Sequence, residues 1–113
     1  MSNFVTVETD KSRYKIGELV QIEIKNISDE VINFINGGFG LEINLKDSIV
    51  WSLIGPDVLT PLRPNESKTV EWNQINNDNE QVPPEQYLAS VKYFAPGASD
   101  LLNSFKEFEI VNY

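Results

Sequence analysis

Cysteine and histidine are both absent from the 113 residues. The two absences exclude disulfides, Cys/His zinc sites, haem ligation, thiol nucleophiles, Ser-His-Asp triads and histidine proton relays. Only carboxylates, hydroxyls, lysine and tyrosine remain for chemistry. Positive charge is scarce as well: nine Lys and Arg stand against 17 Asp and Glu, a formal charge of −8. The basic residues are dispersed, and their closest cluster, Lys11, Arg13 and Lys15, sits among Asp10 and Glu18. Affinity for a phosphate backbone comes mostly from Lys and Arg releasing counterions, so neither nucleic acid nor an anionic membrane surface is an expected partner. No stretch approaches the roughly 20 apolar residues of a membrane span. The first residues, Met1-Ser2-Asn3-Phe4-Val5, lack the basic region and apolar core of a signal. If Met1 is the natural start, the protein is expected in the cytosol; a removed signal or anchor would instead place it at the cell surface or outside.

The apolar content is 41%, near the globular norm and spread along the chain, and the length suits one domain with one core over residues 1–113. Period-2 alternation dominates. Val20, Ile22 and Ile24 alternate with Gln21, Glu23 and Lys25, and Leu41, Ile43 and Leu45 oppose Glu42, Asn44 and Lys46. Further strands are expected over 4–8, 31–35, 49–53, 68–73, 87–94 and 105–111. Turn chemistry falls between them: Gly17, which can take a positive φ, then Ser28-Asp29-Glu30, the three glycines of Gly37-Gly38-Phe39-Gly40, Gly55-Pro56-Asp57, Arg63-Pro64-Asn65, a long polar loop over 74–86, and Pro96-Gly97. Seven to eight short antiparallel strands without helices must pack sheet on sheet, so an all-β, immunoglobulin-like β-sandwich is expected. Tyr87 is placed for a tyrosine corner, and Trp51 and Trp72 are expected in the core.

From Ile22 onward the order of features resembles the BsuPI family of intracellular proteinase inhibitors. The matching pieces are Lys25-Asn26-Ile27-Ser28-Asp29-Glu30-Val31, Ile49-Val50-Trp51-Ser52, Leu62-Arg63-Pro64-Asn65-Glu66-Ser67 with Val70-Glu71-Trp72, and Val82-Pro83-Pro84-Glu85-Gln86-Tyr87. They are similar to that family's asparagine turn, its Val-Trp strand, its Pro-Gly-Glu turn before Glu-Trp and its Pro-x-Gly-x-Tyr approach to a late strand. Asn65 and Glu85 stand where the family has glycine; Asn tolerates the left-handed region, whereas Glu85 implies a different turn. Thr9-Asp10-Lys11 through Tyr14 to Gly17-Glu18 also resembles the opening of bacterial and archaeal surface immunoglobulin-like modules. The resemblance implies a protein-binding module, a proteinase inhibitor acting by loop insertion; the alternative is a structural or adhesive module of a cell-surface protein or filament.

The loop Asn36, Gly37, Gly38, Phe39 and Gly40 is the leading contact candidate, because a phenylalanine held between glycines can project into a partner's cleft. The competing reading is a bulge or crossover with Phe39 folded inward. Asp57, Arg63 and Asn79, on the loops over 55–66 and 74–86, complete the expected partner-binding set. No cofactor, metal or catalytic residue is expected. Asn76, Asp78 and Glu80 lack the spacing of a calcium loop, and Asn26-Ile27-Ser28 and Asn65-Glu66-Ser67 match the N-glycosylation pattern no more often than chance. An enzyme is not expected either, since paired carboxylates need a pocket that a small sandwich rarely encloses. The expected partner is another protein, a protease foremost, with no membrane insertion within the chain; the oligomeric state is left open.

Overall fold

Alternating Val, Ile and polar residues give the third strand its buried face, and the same rule builds most of the others. The computed structural model describes residues 4–112; Met1-Ser2-Asn3, read above for a signal, lie outside them. Ten strands follow in order: β1 (Val5–Thr9), β2 (Arg13–Lys15), β3 (Val20–Asn26), β4 (Ile32–Phe34), β5 (Glu42–Leu45), β6 (Ser48–Ser52), β7 (Thr60–Leu62), β8 (Ser67–Trp72), β9 (Gln86–Phe94) and β10 (Leu101–Val111). One sheet has the order β1-β3-β8; the other runs β2-β10-β9-β4-β7, with β5 paired to β9 and to β6. β2 joins β10 in parallel, and the other pairings among the described residues are antiparallel. The all-β expectation holds. The strand number differs, because β2 and β7 have three residues each, too few to show alternation, and Pro61 sits inside β7.

The two sheets face each other across one core, the arrangement of a β-sandwich. Val5, Val7, Val20, Ile22, Ile24 and Trp72 point in from the first sheet, and Ile32, Phe34, Tyr87, Val91, Tyr93 and Phe108 from the second. Ring contacts tie the layers together. Trp72 lies 6.1 Å from both Tyr87 and Phe108, and Tyr14 meets Phe108 edge-on at 5.8 Å. Such ring pairs contribute about 0.5–1.5 kcal/mol each beyond area burial. Trp51 is half-buried and packs on Trp72 at 6.0 Å. Between the layers, Ser104 Oγ donates to the Val5 carbonyl at 2.6 Å and bonds the Tyr93 hydroxyl at 2.8 Å.

Turns take the backbone their residues allow. Gly17 has φ 88° and Asn65 φ 66°, and Glu66 N donates to Arg63 O at 3.0 Å across the Pro64-Asn65 turn. The Tyr87 hydroxyl donates to Pro83 O at 2.5 Å, four residues upstream, which is the corner expected of it.

Tyr14 and Tyr87 also make the fold sensitive to alkali. Burial pushes both phenols up to about 12, helped at Tyr14 by its bond to Asp10 and at Tyr87 by the negative charge of Glu85. The folded chain therefore keeps these protons after the unfolded chain, titrating near 10.0, has lost them. Stability is full below pH 10 and is lost as pH rises towards about 12. Urea midpoints measured across that window should fall; a flat profile would refute the assignment.

Candidate functional site

The glycine-rich loop after β4 turns inward. Phe39, at φ 61°, is 7% exposed and meets Phe34 edge-on at 5.0 Å. Asn36 Oδ1 accepts from Gly38 N at 2.8 Å and Gly40 N at 3.3 Å, and Lys92 N donates to Phe39 O at 3.1 Å, which seats the turn against β9. The glycines do permit close approach, but to this chain's own backbone. Gly37 N donates to Pro56 O at 2.8 Å, a Cβ on Gly38 would lie 2.3 Å from the Leu53 carbonyl oxygen, and one on Gly55 would lie 2.4 Å from Gly38 N. The expectation that Phe39 projects into a partner's cleft is therefore corrected. An aromatic ring flanked by glycines gains more from the core than from solvent, and the competing inward reading is the one observed.

The structure brings the turn of Asn36, Gly37, Gly38, Phe39 and Gly40 against the segment that leads to Asp57, and leaves Asp57, Arg63 and Asn79 exposed. Arg63 opens the Pro64-Asn65 turn, its backbone N donating to Glu66 Oε1 at 2.9 Å. Asn79, at φ 63°, tips a loop that is anchored from beneath. Gln74 is fully buried; its Nε2 donates to the carbonyls of Lys15 and Glu18, both at 2.8 Å. Asn76 Oδ1 accepts from Asp78 N and Glu80 N, so it closes its own loop. Asn77 N donates to Val50 O at 2.9 Å and Asn77 Oδ1 accepts from Ser52 N at 3.3 Å, which covers the outer edge of β6.

Apolar surface is exposed elsewhere. Ile54 is 93% exposed, Val58 60% and Leu59 59%, on the segment between β6 and β7. Beside them a groove of about 490 Å³ opens on the outer face of the second sheet, lined by Val31, Asn33, Leu59, Phe94 and residues 95–99. Alternation puts it there: Phe34 and Tyr93 point inward, so Asn33 and Phe94 point out. Pro96-Gly97 forms the far wall through a tight turn, with Gly97 at φ 70° and Ala98 N donating to Ala95 O at 3.1 Å. Leu101, half exposed, pairs with Phe94. The sequence signal for this surface is the apolar content of 53–59, a segment broken by Gly55 and Pro56 that does not alternate.

Where β2 meets the start of β3, polar groups serve the fold. The Tyr14 hydroxyl donates to Asp10 Oδ1 at 2.5 Å and accepts from Lys11 N at 3.0 Å, and Gln21 N donates to the same Asp10 oxygen at 3.1 Å. The Tyr14 bond, chiefly, holds the Asp10 carboxyl below its ordinary value. No helix among the described residues is long and apolar enough to cross a membrane.

No protein-family model and no curated protein matches the chain. Among solved structures it is similar to a β-glucosidase from Listeria innocua in complex with gluconolactone, at 20% identity and TM-score 0.39, over 96% of this chain and 16% of that one. It is also similar to a β-glucosidase from Erythrobacter marinus, at 11% identity and TM-score 0.44, over 94% of this chain and 15% of that one. The chain thus spans about a sixth of the solved structures it matches. The exclusion of an enzyme, argued above from the lack of a pocket, is corrected by this finding, since the matched chains are those of enzymes. The likeness is weak and at the level of fold, and it assigns neither activity nor substrate to this chain.

Proposed function

We propose that the chain is a protein-binding module of the BsuPI-like immunoglobulin class, a proteinase inhibitor that engages its partner through the 54–59 segment and the adjoining groove. The observation that carries this reading is the exposure of Ile54, Val58 and Leu59. Three large apolar residues within six positions exceed the scattered single residues of an ordinary surface. The immunoglobulin-like class is supported by the bond from Tyr87 to Pro83, by the buried asparagine turn at Asn26 and by the left-handed Asn65. Protection of the β6, β7 and β8 edges favours binding through this surface over a structural module joined at those edges. Asn77 covers β6, Pro61 removes a donor from β7, and Lys68 and Glu71 put charge on β8. Titration against a panel of proteases that includes subtilisin-like enzymes should show one slowed at micromolar chain, with the effect weakened by Val58→Ser and Leu59→Ser. If no protease is slowed, the inhibitor reading fails.

A further inference from the structure

We propose that the groove takes one apolar side chain from an extended segment of a basic partner, whose flanking Lys or Arg residues meet carboxylates at the groove's rim. This rests on the protein-binding reading above and specifies the partner's chemistry. The floor of Val31, Leu59 and Phe94 is apolar and open, and about 490 Å³ accommodates an aromatic or leucine side chain with its neighbours. The rim is acidic. Glu30 precedes Val31, Asp57 lies two residues before Leu59, and Asp100 follows Ser99, all three exposed. Arg63 is the cation near the Val31 end, next to the pairing of Ile32 with Leu62. Three carboxylates against one guanidinium, on a chain of charge −8, favour a cationic occupant. A second copy is disfavoured by the same charges, because docking groove to groove would bring like carboxylates together. Addition of a strand is disfavoured as well, since the nearest edge, β7, carries Pro61 at its centre. Insertion of a side chain, not extension of a hydrogen-bond ladder, is the mode left to this face.

The test is fluorescence anisotropy on the full chain, at low salt, with three short labelled peptides: one phenylalanine between lysines, the same between glutamates, and glycine between lysines. The lysine-flanked phenylalanine peptide should bind, and each of the other two should bind roughly tenfold more weakly or worse, the flanking charges being rim-exposed pairs of modest individual strength. Leu59→Ser should weaken binding about tenfold, the scale of losing one well-buried apolar contact. The double variant Asp57→Asn with Asp100→Asn should remove most of the salt dependence. Circular dichroism checks that the variants remain folded. Equal binding of the lysine- and glutamate-flanked peptides overturns the proposal. So does absence of binding by the lysine-flanked phenylalanine peptide, unchanged affinity in folded Leu59→Ser, or sedimentation showing a dimer that Leu59→Ser abolishes. A protease slowed in the panel, with weakening by Leu59→Ser but no binding of that peptide, would overturn this inference and leave the proposed function standing. Peptide binding with no protease slowed would do the reverse.

Discussion

Asn26→Leu is expected to lower stability by about 4 kcal/mol, because buried groups left without partners cost about 1–3 kcal/mol each. Asn26 is fully buried at the end of β3. Its Nδ2 donates to Glu30 O at 2.8 Å and Leu62 O at 2.9 Å, and its Oδ1 accepts from Ser28 N at 2.9 Å and Ser28 Oγ at 2.7 Å. One side chain thus closes the turn after β3 and ties the first sheet to β7 of the second. Leucine fills similar space but satisfies none of the four. Ser28→Ala removes one of those bonds, and Ser28 is less buried, so it should cost only about 1 kcal/mol. Urea unfolding reads both: the Asn26 variant should lose midpoint at unchanged slope. A loss near that of Ser28→Ala would mean that the carbonyls find other partners. The same burial removes Asn26 as a glycan acceptor in the folded domain, since its amide nitrogen is already committed twice.

Gly38→Ala is expected to cost about 3 kcal/mol, at the upper end of the usual penalty for forcing one extra carbon into a packed site. Its Cβ would sit 2.3 Å from the Leu53 carbonyl oxygen. The obstructing atom is backbone, and the segment just after β6 that carries it is held by Leu53 N donating to Leu41 O at 3.1 Å, so no side chain can swing aside. Gly97→Ala is the control. Gly97 has φ 70° with nothing within 4 Å of an added Cβ, so only the left-handed backbone is penalised, about 1–2 kcal/mol. If the two variants lose equal stability, close backbone approach is not what glycine provides at position 38, and the 36–40 loop is free to move.

Eight of the ten strands were legible because each alternates over four or more residues or is bounded by turn residues, a local property. The turns at Gly17 and Asn65 and the corner at Tyr87 were legible for the same reason. β2 was not, because three residues become a strand only through a parallel partner nearly a hundred positions away, as in Glu109 against Arg13. The error at Phe39 has the same origin. Glycines at 37 and 38 correctly signalled close approach, but what approaches them is the chain's own 53–56 segment, and Gly40 meets Lys92 and Ile35, which nothing local reveals. The groove was half legible. Apolar residues at 54, 58 and 59 are unusual in a loop, and the 55–66 loop was an expected contact region. That Phe94 and Val31 meet Leu59 there depends on which face each strand presents and on the curl at Pro96-Gly97, both consequences of tertiary pairing.

If the 36–40 loop is structural and partners dock on the groove beside the 54–59 segment, then backbone amide shifts followed by NMR, as the lysine-flanked phenylalanine peptide is added, should change at Val31, Asn33, Leu59, Phe94, Ala95 and residues 97–99, with the 36–40 amides still. Changes confined to Asn36 through Gly40, or to the outer face of the β1-β3-β8 sheet, would mean that the partner docks elsewhere.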